Sequence, residues 1–113
     1  MSAWVVVDTK ITNPEAYEKY KALAGPMVQK YGGRYRARGG EIDVVEDDLW
    51  SPTRIVIVEF PDIDAAREFA YSDEYAPTAA IRHSYSDCTV AVFYNHLTLP
   101  TTSLLQTQMA AVS

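Results

Sequence analysis

Arg54-Ile55-Val56-Ile57-Val58-Glu59-Phe60, followed by Pro61-Asp62, is the stretch that decides the fold. Four apolar, β-branched residues in a row, closed by a turn signal, predict a strand buried on both faces. Helices of the same chain can cover one face of such a strand. Something else has to cover the other.

Working outward, Trp4-Val5-Val6-Val7-Asp8 and Cys88-Thr89-Val90-Ala91-Val92-Phe93-Tyr94 predict two further apolar strands. Arg34-Tyr35-Arg36-Ala37-Arg38 alternates, which puts three arginines on one side of a fourth strand and Tyr35 and Ala37 on the other. Between the first two of these strands, Asn13-Pro14-Glu15 is a helix start: a capping side chain, proline at the first helical position, an acid in the first turn. Tyr17, Tyr20, Leu23, Ala24, Met27, Val28 and Tyr31 then recur at spacings of three and four, giving one apolar, partly phenolic face. Gly25-Pro26 predicts a kink within this helix, and Gly32-Gly33 its end. Asp62 opens a second helix through Ala65, Ala66, Phe69 and Ala70. Ser72-Asp73-Glu74 reads as another N-terminus, so this helix breaks and restarts, running to about His83.

The order is β-α-β-β-α-β, a ferredoxin-like α+β protomer with an antiparallel sheet and its helices on one face. The second and third strands are joined by residues 41–48, which carry five carboxylates (Glu41, Asp43, Glu46, Asp47, Asp48) and predict a solvated hairpin connection. The domain spans residues 1–96. Residues 97–113 hold no charged side chain and are expected to be a flexible end or an arm laid on a partner. A bare apolar sheet face of several hundred Å² marks an association site. The expectation is therefore a homodimer, the economical way to cover it.

Composition narrows the function classes. A formal charge of −5 argues against nucleic acid and against an anionic membrane surface as partners. No apolar run reaches the roughly 18 residues of a spanning helix. Met1-Ser2-Ala3-Trp4 lacks the basic and apolar regions of a signal peptide, and the single cysteine, Cys88, fits a reducing compartment; a cytoplasmic protein is expected.

Several segments together carry a family resemblance: Asn13-Pro14-Glu15-Ala16-Tyr17 with Tyr20, Tyr31-Gly32-Gly33-Arg34-Tyr35, Arg38-Gly39-Gly40, Glu59-Phe60-Pro61, and Ser72-Asp73-Glu74-Tyr75 with Arg82. Over residues 4 to about 96 the chain resembles domain-of-unknown-function family 1330, of the dimeric α/β-barrel superfamily. The resemblance implies a ferredoxin-like protomer and a dimer whose sheets form a barrel. Superfamily relatives include cofactor-independent monooxygenases, lactone isomerases, polyketide cyclases and haem-binding enzymes, which supply analogy only. Arg36 stands where the family usually has an apolar residue, and Val45–Trp50 replaces its usual Glu-Gly before the tryptophan.

Candidate chemistry rests on few groups. Arg38 precedes two glycines, where backbone can approach a ligand closely, and its fork could hold a carboxylate or enolate; the competing reading is an ion pair with Glu59 or a hairpin carboxylate. Glu59 is an acid/base if buried and a structural group if paired with arginine. Tyr75, Ala79 and His83 fall at i, i+4 and i+8, so His83 could be a general base and Tyr75 a donor if that helix face looks into a cavity. Tyr17, Tyr20, Tyr31 and Tyr35 could line an aromatic pocket that binds substrate; the competing reading is a plain core stripe with hydroxyls reaching water. His96 is expected at the surface, and Cys88 as a small core residue. Metal-binding spacings, phosphate loops and nucleophile elbows are absent. The leading expectation is an enzyme of small-molecule metabolism with no cofactor, performing proton transfer, isomerisation or cyclisation, or oxygenation of an apolar, phenolic or polyketide-like substrate. A non-catalytic dimeric binding protein is the alternative, and a haem-binding member the weaker one.

Overall fold

The computed structural model describes residues 2–94. Seven elements follow in order: β1 (Ala3–Ile11), α1 (Pro14–Lys30), β2 (Arg34–Arg38), β3 (Ile55–Phe60), α2 (Ile63–Tyr71), α3 (Ala76–Tyr85) and β4 (Ser86–Tyr94). The strands form one antiparallel sheet in the order β2-β3-β1-β4, the ferredoxin-like arrangement with its second helix in two pieces. His96 and the uncharged tail lie outside the described residues.

Local sequence explains each boundary. Asn13 Oδ1 accepts a hydrogen bond from the Ala16 N–H at 3.1 Å, satisfying one of the donors a helix start leaves unpaired, a cap worth about 1 kcal/mol. α1 continues through Pro26 to Lys30. It stops where Gly32 takes φ +86°, a conformation that side chains with a Cβ resist. Gly33 then passes so close to β3 that a Cβ there would lie 2.7 Å from Val28 Cγ1 and 2.8 Å from the Phe60 ring. The break between α2 and α3 falls where the sequence places it: Ser72 Oγ donates to the Phe69 carbonyl and accepts from the Tyr75 N–H, both at 3.0 Å.

The core lies between the helices and one face of the sheet. Ala3, Val5, Val56, Val58 and Phe60 meet Ala24, Val28, Ala66, Phe69 and Tyr75 there. A run of rings, Phe60 to Phe69 at 5.5 Å and Phe69 to Tyr75 at 4.4 Å between centroids, ties the α2–α3 break to the central strand. Burying a ring the size of Phe60 contributes roughly 1.5–3 kcal/mol.

Double burial of the 54–60 strand is not met within one chain. Val56, Val58 and Phe60 are buried against the helices, whereas Ile55, Ile57 and Glu59 on the other face are half-buried. Register lines up two rows across that outer face. Ala37, Ile57, Val6 and Ala91 form one; Arg34, Glu59, Trp4 and Phe93 form the other. Phe93 is 49% exposed.

Strand β2 departs from simple alternation. Tyr35 pairs with Val58 and Ala37 with Ile57, so Arg36 is the extra residue of a β-bulge. Past the bulge every side chain changes face. Arg38, in register with Val56, joins Tyr35 on the helix side, and the expected row of three arginines is split. Residues 40–51 are exposed, as a solvated connection should be. One clamp holds its base: Asp8 Oδ1 accepts from the N–H groups of Thr53 at 2.8 Å and Arg54 at 3.0 Å, and Asp8 Oδ2 accepts from Trp50 Nε1 at 2.8 Å. Partial burial alone would raise the Asp8 pKa; these donors outweigh it and hold the carboxyl below its ordinary value.

Candidate functional site

Helices do not seal the inner face of the sheet completely. A cavity of about 340 Å³ lies between them, floored by Val5, Val7, Val56, Val58, Val90 and Val92. Its roof is Tyr17, Tyr20, Lys21 and Val28 of α1, with Arg67, Phe69, Ala70 and Tyr71 of α2 and Tyr75 and Arg82 of the α3 region. Tyr35 and Arg38 of β2, together with Arg54, complete the wall. The volume is at the lower end of the range for small-ligand sites.

Two phenols form its polar centre. The hydroxyls of Tyr20 and Tyr75 are 2.5 Å apart, and either can donate. Two O–H groups share one hydrogen bond, so whichever accepts keeps its own proton for a third partner. Burial, then the neighbouring Tyr75, pushes the Tyr20 phenol far above its ordinary pKa of 10.0, so it stays a neutral donor. Burial likewise raises Tyr17 and Tyr35.

Arg82 is the charged counterpart. It is only 5% exposed, its Nη1 lies 2.6 Å from Cys88 Sγ, and its Nε makes no hydrogen bond. Burial alone would lower its pKa, but Tyr75, Tyr20 and Cys88 together leave it above the ordinary value, so the guanidinium is always charged. Its Cζ is 6.0 Å from the Tyr20 ring centroid. Near the mouth, Arg38 Cζ stacks 4.3 Å over the Tyr35 ring while Nη2 reaches the Lys21 carbonyl at 3.5 Å. Arg54 Cζ lies 6.0 Å from the Tyr17 ring centroid. Gly39, at φ +77°, makes room for it: a Cβ there would sit 2.9 Å from Arg54 Nε.

Of the residues singled out from the sequence, Tyr20, Tyr75, Tyr35 and Arg38 all line this cavity. His83 does not. It is exposed on α3 and outside the lining, so that helix face does not bring His83 to the cavity with Tyr75. The reason is helical arithmetic: at about 100° per residue, position i+8 has drifted roughly 80° from i, whereas i+7 lies within about 20°. Counted from Tyr75, i+8 is His83 and i+7 is Arg82. Glu59 is also elsewhere. It takes Arg36 Nε at 2.7 Å on the outer face of the sheet, not Arg38, and hydrogen bonds from Ser2 and Arg36 hold its carboxyl below the ordinary value. Of the four tyrosines that could line an aromatic pocket, Tyr17, Tyr20 and Tyr35 do and Tyr31 does not. Nothing at the strand's first residue marks Arg54 as a site residue.

The family model for a domain of unknown function, DUF1330, matches residues 2–95. The chain is a DUF1330 protein. No curated protein sequence matches it. Among solved structures, a protein of unknown function from Rhodopseudomonas palustris shares 17% identity and superposes with a TM-score of 0.65, over 86% of this chain and 84% of that one. SnoaB, a cofactor-independent oxygenase from Streptomyces nogalater, gives 17% identity and a TM-score of 0.61, over 88% and 98%. A dimeric ferredoxin-like protein of unknown function from Jannaschia sp. gives 12% and 0.63, over 84% and 100%. At these identities the likeness shows that the DUF1330 chain shares their fold. No helix among its described residues is long and apolar enough to cross a membrane.

Proposed function

We propose that this DUF1330 protein is a cofactor-independent enzyme acting on a small phenolic or enolisable molecule held between its sheet and helices, and that it works as a homodimer. The observation that carries the reading is the Tyr20–Tyr75 hydroxyl pair, set beside the buried Arg82 guanidinium in a cavity with an apolar floor. An aromatic or enolic ring fits between the valines and the tyrosines. The unshared phenolic O–H orients its oxygen. The cationic wall lowers the pKa of that ligand: its proton passes to water at the open mouth, since no histidine or carboxylate among the described residues lines the cavity to take it, and the conjugate base left behind is stabilised by the arginines. An enolate or phenolate held this way is the common entry to proton shift, cyclisation and oxygenation. SnoaB, a cofactor-independent oxygenase of the same fold, supports this reaction class by analogy. The open outer face with Trp4, Val6, Ile57 and Phe93 supports the dimer, as does the dimeric Jannaschia relative.

Anthrone, an enolisable aromatic ketone, is the test compound. Oxygen uptake and the growth of anion absorbance are followed with the wild type and with the Tyr20→Phe/Tyr75→Phe double variant. Enzyme-dependent ionisation or turnover that falls by about 10²-fold in the variant supports the proposal. Rates equal to those of buffer overturn it for this substrate class. A second reading, a non-catalytic binding protein, is favoured by one observation: the titratable side chains lining the cavity are tyrosines, lysine, arginines and no histidine or carboxylate among the described residues. Saturable binding without ionisation or turnover would decide for it. The haem-binding reading gains no support from that lining, which offers no histidine to the iron, and the exposed His83 lies outside it.

A further inference from the structure

The cavity carries a charge pattern opposite to that of the whole chain. The protein has a formal net charge of −5, yet Lys21, Arg38, Arg54, Arg67 and Arg82 line the cavity and no carboxylate does among the described residues. The three ion pairs among those residues are Lys21–Glu18, Lys30–Glu74 and Arg36–Glu59. Among the described residues, Lys21 is the one lining cation with an ion-pair partner, Glu18 at the mouth. Arg82 is the unusual member. A guanidinium that is 95% out of solvent ordinarily has a carboxylate partner, because an unpaired buried charge costs several kcal/mol. Here its Nη1 meets a sulfur, a weak acceptor, its Nε meets nothing, and its further hydrogen bond goes to the Tyr75 hydroxyl, so no carboxylate among the described residues answers its charge.

We infer that the ligand of this cavity brings the missing anion: the site takes an aromatic carboxylic acid, its ring between the tyrosines and the valine floor and its carboxylate among Arg82, Arg54 and Arg38. Aromatic contacts hold the three guanidinium groups in place before any ligand arrives, on the Tyr20, Tyr17 and Tyr35 rings respectively. Such pre-placed forks recognise carboxylates with little ordering cost. The inference rests on the proposed use of the cavity as a ligand site and adds the substrate class.

Calorimetric titration of the full chain with 2-naphthoate and with 2-naphthamide, a neutral compound of the same shape, tests it at neutral pH. The naphthoate should bind about tenfold more tightly than the amide, the scale of a charge-assisted hydrogen bond. Arg82→Gln should bring the two affinities within about threefold of each other, with naphthoate weakened and the amide little changed. Should that variant lose its circular-dichroism signal, the Arg38→Gln/Arg54→Gln double variant, altered only at the mouth, decides instead by the same loss of preference. Equal binding of the two compounds to the wild type overturns the carboxylate inference alone and leaves the phenolic reading standing. Binding of neither overturns both. A preference that survives in a folded variant overturns the assignment to these arginines.

Discussion

Arg82 and His83 are neighbours with opposite surroundings, and the difference decides which of them can act. One residue of helical rotation puts a permanently charged group under the roof and a titratable one in water. The exposed imidazole makes no hydrogen bond or ion pair among the described residues, so His83→Ala should change stability by less than about 0.5 kcal/mol in thermal melts and leave ligand affinity unaltered. Tyr20 should behave differently. Tyr20→Phe removes the phenolic hydrogen bond to Tyr75, and a cost of about 1 kcal/mol should lower the melting temperature by roughly 4–8 °C. Alkaline titration reads the same group. Burial raises the folded-state pKa of Tyr20 above its ordinary 10.0, so the unfolded chain loses that proton first as pH rises. Stability should be independent of Tyr20 below about pH 10 and fall above it. A chemical-denaturation series from pH 8 to 11 checks the sign, and the fall should be shallower in Tyr20→Phe.

At the scale of elements, the clamp on the long connection is the most exposed to test. Asp8→Asn keeps the shape but turns an acceptor for Trp50 into a competing donor or forces the amide to flip away from the Thr53 and Arg54 N–H groups. A loss of about 1–2 kcal/mol is expected, read by denaturation, together with a change in Trp50 fluorescence. The wild-type contribution has a pH sign as well. The Asp8 pKa is depressed in the folded state, so its stabilisation is present above the ordinary carboxyl range and is lost as pH falls through the folded value. The elements themselves were legible in the sequence because their signals are local. Asn13-Pro14 and Ser72 mark helix starts, Gly32 a stop, and the runs at 4–8, 54–60 and 88–94 the apolar strands. The site was legible only in part, because side-chain direction depends on non-local pairing. The alternation of Arg34 to Arg38 gives no sign of the bulge at Arg36, which is set by pairing with β3 and turns Arg38 inward. Likewise the i, i+8 spacing of Tyr75 and His83 drifts roughly 80° over two turns, which takes His83 off the face that Tyr75 presents.

For the whole molecule, the decisive surface is the sheet face without helices. Stable association typically buries about 800 Å² per partner, and the apolar row Ala37-Ile57-Val6-Ala91, with Trp4 and Phe93 beside it, is placed to supply its middle. Neighbouring positions on β3 separate folding from assembly, since Val58 points into the helix-side core and Ile57 into the open face. Val58→Asp puts an unpaired charge into the core at a cost of several kcal/mol and should abolish folding, seen as loss of the circular-dichroism signal. Ile57→Asp puts the same charge on a surface that water reaches in the monomer but not in a dimer. It should leave a folded chain that sediments as a monomer at micromolar concentration while the wild type sediments as a dimer. A wild type that is monomeric under those conditions, or an Ile57→Asp variant that stays dimeric, would move the association surface elsewhere. The cavity would keep its place in either case, because its walls come from one chain: the inner rows of the sheet beneath and Tyr20, Tyr75 and Arg82 above.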